Sequence, residues 1–234
     1  MSESYWAVVP AAGVGQRMGS KTPKQYLDLL GRRVIDHTLQ RLLAHPLIDK
    51  AYVALSETDA YWTQTEHAND ARVVRVSGGD ERCHSVLNAL RAIGLQADAD
   101  DWVLVHDAAR PCVAELDLNR LVETLQHHAV GGLLGVPVQD TLKLVSDDKH
   151  VVQTVQRSGL WQAYTPQMFR LGLLTEALEQ AIEQGKLVTD DASAIELAGY
   201  TPVMVEGHAG NIKITRPADL QLAAFYLSQN QALI

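Results

Sequence analysis

Short apolar runs alternate along this chain with longer segments in which apolar residues recur every three or four positions. The short runs predict buried strands, at residues 5–10, 51–55, 72–76, 102–107, 131–138 and 201–207. The longer segments predict helices that are apolar on one face, the clearest running from Val34 to Leu43. Further helices are expected around 86–93, 115–127 and 173–183.

The last third of the chain adds two helix starts with recognisable capping chemistry. One opens at "TDDAS", where Thr189 is the expected N-cap and acidic residues occupy the first turn. The other lies in "TRPADLQLAAFYL", where Pro217 stands at the first helical position. Strands that alternate with helices are typical of an α/β fold with an open, mostly parallel, Rossmann-like sheet and helices on both faces. We expect one domain spanning 1–234.

One segment departs from this alternation. The β-rich runs "TLKLV" and "VVQTV" are separated by the polar "SDDKH", which predicts a β-hairpin within residues 139–161. A two-stranded hairpin is marginally stable by itself in water. We therefore expect this arm to pack on a second copy of the chain.

Composition narrows the possible partners. The 234 residues include 20 Lys and Arg against 28 Asp and Glu, a net charge of -8. A nucleic-acid or anionic-membrane surface needs a broad basic field, so neither partner is expected. The amino-terminal stretch lacks the pattern of a signal peptide, and no apolar run approaches the roughly 20 residues that cross a bilayer. The sequence predicts a cytoplasmic protein.

Candidate chemistry gathers in the loops that follow the predicted strands. These loops read "AAGVGQRMGSKTPKQ", "SGGDER", "HDAARP" and "GNIKITRP". Ligands of open α/β sheets bind at the carboxyl ends of the strands. Glycine and alanine let backbone N–H groups approach phosphate oxygens, and Arg17 and Lys24 add positive charge. The first loop therefore predicts a polyphosphate site.

Two common nucleotide motifs do not fit this loop. It lacks the Gly-Lys-Ser/Thr ending of a P-loop. A dinucleotide fingerprint needs glycines in a GxGxxG spacing, but in "GVGQRMG" the third glycine, Gly19, comes one residue late. A hydride-transferring Rossmann enzyme is therefore disfavoured.

The loop motifs together resemble a known family. "PAAGVGQRM" and "PKQY" are similar to the signature loop of nucleotidyltransferases that act on sugar or polyol phosphates. Adding "GGDERCHSV", "VHDAARP", "VQDTLK", "TVQRSGLW", "TPQMF", "TDDAS" and "GNIKITRP" narrows the resemblance to the methylerythritol phosphate cytidylyltransferases of the non-mevalonate isoprenoid route. The resemblance implies that CTP and methylerythritol phosphate are joined with release of pyrophosphate, with Mg²⁺ or another divalent cation as cofactor.

The resemblance also implies roles for individual residues. The residues implied to bind the triphosphate and stabilise its transition state are Arg17, Lys24 and Lys213. Those implied to bind CTP are Ala11, Ala12, Gly13, Gly79, Asp80, Ser85 and Ala108. Those implied to bind the acceptor are Asp107, Arg110, Thr141, Arg157, Thr165 and Thr189.

Within that set, the resemblance implies that Thr141 and Arg157 reach the partner's acceptor site from the arm, so the homodimer is the active form. It makes Asp107 a candidate metal ligand, with the triphosphate as the other source of ligands. Arg82 lies in the second loop, where a ligand contact and a surface charge at a helix start are equally compatible with the sequence.

Three other functions are compatible with parts of this pattern. A ribitol or glycerol phosphate cytidylyltransferase shares the loop chemistry, but "PAAG", "TVQRSGLW" and "GNIKIT" favour the methylerythritol enzyme. A noncatalytic nucleotide-binding module gains nothing from Arg17 and Lys24, whose charges suit a transition state. The hydride-transfer enzyme is the most distant alternative.

Overall fold

The computed structural model describes residues 4–13, 22–186 and 188–231. These residues include seven strands that form the central sheet: β1 (Tyr5–Pro10), β4 (Ile48–Leu55), β5 (Val73–Ser77), β6 (Trp102–Val105), β7 (Gly131–Pro137), β10 (Trp161–Arg170) and β11 (Val203–Glu206). Their order in the sheet is β11-β7-β10-β6-β1-β4-β5. The pairs β1/β4, β4/β5, β1/β6 and β7/β11 are parallel, while β10 runs antiparallel to both β6 and β7. The mostly parallel sheet is confirmed.

Helices cover both faces of the sheet. They are α1 (Val34–Leu43), α2 (Arg82–Ile93), α3 (Glu115–Leu125), α4 (Leu171–Glu183), α5 (Asp191–Leu197) and α6 (Pro217–Gln231). Successive residues of a strand point to opposite faces. In β1, Ala7 and Val9 accordingly belong to the core that includes residues of α1 and α3, whereas Trp6 and Val8 belong to the core with α2, α4 and α5.

The predicted elements are present with small differences in their ends. Pro217 is the first residue of α6, as expected. Thr189 is not the N-cap of α5, so that prediction is wrong: Asp190 is the cap, and its side chain accepts a hydrogen bond from Ser193 N. Among the described helices, none is long and apolar enough to cross a membrane.

Strand β10 was not predicted as a strand. It contains Pro166, which cannot donate to a neighbouring strand, and proline inside a run argues against a central strand. The sheet accommodates the proline through a shift of register against β7 between Ala163 and Gln167. This antiparallel strand lies beside β6 and brings Thr165 and Gln167 close to the loop after β6.

The predicted arm is also present. Strands β8 (Leu142–Val145) and β9 (Val151–Val155) pair antiparallel and form a separate two-stranded sheet. Apolar side chains on the arm are exposed in the single chain, namely Leu142, Leu144, Val145, Val151 and Val152. A second short hairpin joins β2 (Asp28–Leu29) to β3 (Arg32–Arg33), and it was not predicted.

Candidate active site

A cavity of about 200 Å³ opens at the carboxyl ends of β1, β5 and β6. The structure brings most of the predicted site residues together there. They are Ala11, Ala12, Gly13, Lys24, Gly79, Asp80, Ser85, Asp107, Ala108 and Lys213. Arg17 lies outside the described residues. The loops that were singled out in the sequence thus meet at one edge of the sheet, as the fold class requires.

The wall that was assigned to the cytidine consists of two loops in close contact. Gly79 N donates a hydrogen bond of 3.0 Å to Ser85 Oγ, and that hydroxyl donates in turn to Glu81 O at 3.2 Å. The side chain of Ser85 therefore braces its own loop. Gly78 N donates to Leu55 O at 2.7 Å, which ties the loop to the end of β4. Backbone groups held this way present a fixed set of donors and acceptors.

We expect Gly78→Ala to weaken CTP binding about tenfold, because relief of an overlap that would cost about 1–3 kcal/mol must shift the backbone groups that frame the cytidine. A Cβ at Gly78 would overlap the Ala12 Cβ and lie 3.1 Å from Leu55 O. Calorimetric titration with CTP measures the change in Kd. Gly94→Ala is the matched control, since its new Cβ would meet its nearest atom at an ordinary 3.5 Å. An unchanged Kd in Gly78→Ala would show that the close packing of Gly78 against Ala12 does not determine CTP affinity.

Lys24 lies at the start of a 3₁₀ turn, Lys24–Tyr26, that closes the first loop. Its Nζ donates to Ile214 O at 3.1 Å, next to Lys213. Sequence reasoning did not identify Gln25 as a site residue. Its side chain is buried, and Nε2 donates to Ala11 O at 2.7 Å and to Gly13 O at 3.0 Å. Gln25 thus joins the turn that carries Lys24 to the wall assigned to the cytidine.

Asp107 is the centre of the charged wall. Its Oδ1 lies 3.1 Å from Arg82 Nε, and its Oδ2 lies 2.7 Å from Lys213 Nζ and 3.7 Å from Arg110 Nε. Burial by itself would raise the pKa of this carboxyl. The charges of Arg82 and Lys213 outweigh burial and hold the pKa of Asp107 well below its usual range. Asp107 is therefore ionised at neutral pH.

Arg82 is the functional candidate that the sequence left undecided. It lines the cavity and joins Asp107 to the buried Asp191. It is therefore part of the charged wall rather than a surface charge at a helix start. The sequence indicated only that "SGGDER" and "HDAARP" each follow a predicted strand. The tertiary structure shows which residues of the two loops are in contact.

Arg110 and Thr165 lie behind this wall and are not among the residues that line the cavity. The guanidinium of Arg110 donates to Asn211 O at 2.6 Å and lies 4.6 Å from the centre of the Tyr164 ring. Thr165 Oγ1 accepts a hydrogen bond of 3.1 Å from Asp107 N. In the single chain, both residues support the loop after β6.

His106 fixes the direction of the hydrogen bond that Thr165 donates. His106 Nε2 lies 3.0 Å from the carbonyl oxygen of Arg110, which can only accept, so Nε2 carries the proton. In the neutral ring Nδ1 then accepts from Thr165 Oγ1, also at 3.0 Å. Burial lowers the pKa of His106 to about 4, which keeps the ring neutral at pH 7.

This pKa predicts an acid-sensitive fold. The unfolded histidine titrates near 6.5. The unfolded chain therefore binds more protons, and stability is lost as the pH falls from about 6.5 towards 4, by on the order of a few kcal/mol. Urea unfolding should show a steeper loss over this range in the wild type than in His106→Gln, which cannot titrate. Parallel curves would contradict the assignment.

The predicted arm residues do not reach the cavity of their own chain. Thr141 and Arg157 are exposed and are not among the residues that line it. Thr189 is exposed too, beside the start of α5. A role for the arm residues at an active site thus requires a second copy of the chain.

Comparison with known proteins decides between the candidate families. The family model described as IspD, 2-C-methyl-D-erythritol 4-phosphate cytidylyltransferase, matches residues 5–229. The chain belongs to this family. The resemblance expected from the motifs is therefore confirmed, and the chain is assigned to neither the ribitol or glycerol phosphate enzymes nor the hydride-transferring Rossmann enzymes.

Individual members of the family match over nearly the whole chain. The chain is 55% identical to the Pseudomonas aeruginosa cytidylyltransferase of this name, covering 93% of both chains. It is 51% identical to the Vibrio vulnificus protein, covering 97% of this chain and 96% of that one. The solved structure of the Francisella tularensis cytidylyltransferase superposes with a TM-score of 0.84 at 38% identity, covering 95% of this chain and 99% of the other.

Proposed function

We propose that this protein transfers the cytidylyl group of CTP to 2-C-methyl-D-erythritol 4-phosphate, giving 4-diphosphocytidyl-2-C-methyl-D-erythritol and pyrophosphate. The observation that carries the proposal is the family match over residues 5–229, joined to a cavity whose wall holds Lys24 and Lys213. The product belongs to the non-mevalonate isoprenoid route, and we expect the reaction in the cytoplasm.

The reaction is an in-line displacement at the α-phosphorus. An oxygen of the acceptor phosphate forms the new bond to phosphorus, and the bond to the departing pyrophosphate breaks. The acceptor phosphate is already anionic near neutral pH, so alignment and neutralisation of charge matter more than a general base. Lys24 and Lys213, with Arg17 from the sequence, supply that positive charge.

The cytidine binds along the cavity wall that is formed by the loops after β1 and β5. Backbone groups of Ala11, Ala12, Gly13, Gly79 and Asp80, together with Ser85 and Ala108, frame the base and ribose. Cytosine presents an amino donor beside a carbonyl acceptor, which backbone groups can match. Close packing of Gly78 against Ala12 and Leu55 holds this frame in place, and we expect a frame of fixed size to favour cytosine over a larger purine.

The acceptor binds beside Asp107. Its ionised carboxylate is suited to accept hydrogen bonds from acceptor hydroxyls. Arg110 and Thr165 support the same loop. The family resemblance implies that Thr189 lies near the acceptor. Acceptor selectivity follows from hydroxyl contacts, since a site built for a hydroxyl rejects an analogue that lacks it.

A divalent cation fits this site if the triphosphate supplies most of its ligands. Asp107 faces the cavity, but its oxygens are already paired with Arg82 and Lys213. Within the described residues, no group of three or more His, Cys, Asp or Glu side chains is arranged to hold a metal ion. Magnesium commonly takes most of its ligands from phosphates and waters, with one or two carboxylates. We infer that the triphosphate would supply most of the ligands of an Mg²⁺, with Asp107 as the candidate protein ligand, and that the cation would neutralise charge on the phosphate oxygens.

The arm completes the site of a second subunit in this proposal. The exposed apolar side chains of β8 and β9 need a partner surface, and Arg157 carries a guanidinium fork suited to phosphate. Residues 139–161 would thus serve for dimerisation, while 1–234 acts as one catalytic domain. Thr141 and Arg157 would contact the acceptor phosphate bound by the partner.

Pyrophosphate release tests the proposed reaction. The purified protein with CTP and Mg²⁺ is given methylerythritol phosphate, ribitol phosphate or glycerol phosphate in parallel. We expect rapid release with methylerythritol phosphate alone. Faster release with ribitol phosphate would reassign the acceptor, and no release with any acceptor, despite measurable CTP binding, would support a noncatalytic nucleotide-binding module.

A further inference from the structure

Asp191 is a wholly buried carboxylate at the first residue of α5, and the mechanism above gives it no role. Its two oxygens bind the two terminal nitrogens of Arg82, at 3.0 Å for Nη1 and 2.7 Å for Nη2. A two-pronged pair fixes both the position and the plane of a guanidinium. Asp191 therefore determines how Arg82 faces the cavity.

The remaining nitrogen of Arg82 is directed at Asp107. Arg82 Nε lies 3.1 Å from Asp107 Oδ1, while Lys213 Nζ lies 2.7 Å from the other oxygen. An Arg82 released from Asp191 could bind Asp107 through two nitrogens and so compete with Lys213 for Oδ2. The pair with Asp191 prevents this, so each oxygen of Asp107 keeps its own cation.

Asp191 is itself held by the sheet. Gln167, buried on β10, accepts from Ala192 N at 2.7 Å and donates to Asp190 Oδ2 at 2.9 Å. Asp190 also caps α5 by accepting from Ser193 N at 2.9 Å. The start of α5 is thus attached to the strand that lies beside β6, and Asp107 follows β6. This short path gives Asp191 a fixed place relative to the acceptor site.

Charge points the same way. Burial raises the pKa of Asp191, but the paired hydrogen bonds from the Arg82 guanidinium favour its ionised form, so its charge offsets that of Arg82 inside the protein. Without Asp191, Arg82 would keep its contact with Asp107 but lose its fixed orientation, and it could turn towards phosphate oxygens in the cavity. Removing one partner of a buried ion pair is costly for the partner that remains, which makes such a rearrangement favourable.

We propose that Asp191 is a positioning residue for the acceptor: it holds Arg82 so that Asp107 and Lys213 keep the geometry that the attacking phosphate requires. The proposal rests on the proposed function and deepens it. Asp191 acts through Arg82 on Asp107 and Lys213. The acceptor half of the site is therefore affected more than the CTP half, whose backbone groups are held independently of Arg82 by Ser85, Leu55 and Gln25.

The test compares Asp191→Asn with the wild type in two measurements. We expect kcat/KM for methylerythritol phosphate to fall by at least about tenfold, since a small misplacement of reacting groups costs up to about a hundredfold. The Kd for CTP, measured by calorimetry, should stay within about threefold. Glu196→Gln removes an exposed charge from the same helix and should leave both values at the wild-type level.

Arg82→Lys tests the same pair from the cavity side, because an ammonium group cannot bind Asp191 twice and Asp107 as well. It should give the same selective loss. The double variant should be no worse than the more impaired single variant, because both remove one interaction. Circular dichroism checks folding, and if Asp191→Asn does not fold, Arg82→Lys decides.

Retention of kcat/KM for the acceptor in folded Asp191→Asn, or an equal loss of CTP affinity, would overturn the positioning role. A wild-type protein that releases no pyrophosphate would instead overturn the proposed function. The two failures are therefore distinguishable.

Discussion

Lys24→Ala is expected to lower kcat about a hundredfold or more while leaving the fold intact. Its Nζ stands at the cavity, 3.1 Å from Ile214 O and beside the residue that pairs with Asp107. Loss of one preorganised donor to transition-state charge typically costs about 2.7–4 kcal/mol. The turn that carries Lys24 is held by the side chain of Gln25 and by the Tyr26 N–H, so truncation of the lysine leaves its backbone in place.

Initial rates of pyrophosphate release at saturating CTP and acceptor give kcat, and thermal unfolding followed by circular dichroism checks the fold. Lys186→Ala, at an exposed lysine after α4, is the control and should keep wild-type kcat. The same loss is expected of Arg17→Ala from the sequence. A near-normal kcat in folded Lys24→Ala would remove this lysine from the chemistry.

Mixing two inactive variants is expected to restore activity. Arg157→Ala and Lys24→Ala should each lower turnover about a hundredfold or more as homodimers, because each removes a charged contact from both sites. If Arg157 serves the partner's cavity, a mixed dimer has one site that lacks both residues and one intact site. Random exchange of equal amounts then yields about a quarter of wild-type activity.

Subunits are exchanged by dilution and reconcentration, and turnover is compared with that of each variant alone. Mixing Lys24→Ala with Asp107→Ala is the control: these residues line the cavity of the same chain, so no site in a mixed dimer is intact. Activity that stays at the level of the parent variants would place Arg157 in its own chain's site, or outside any site.

Several elements of the fold were predictable because their signals are local. The run "YWAVVP" is apolar throughout, which fits a strand buried on both faces, and Pro217 marks the start of α6. The arm was predictable because two β-rich runs flank a polar turn. By contrast, β10 was not predicted, because Pro166 interrupts its run of strand-forming residues. Backbone pairing with β6 and β7 keeps it in the sheet.

The same division applies to the candidate site. Strand ends of a parallel sheet lie at one edge, so the sequence alone placed Lys24, Asp107 and Lys213 in one region, and the family motifs named the reaction. The contacts of Arg82 with Asp107 and Asp191, and of Gln25 with Ala11 and Gly13, were decided by the tertiary structure. Local patterns follow from the chain's own periodicity, whereas a pairing such as Arg82 with Asp191, 109 positions apart, exists only once the sheet has brought distant loops together.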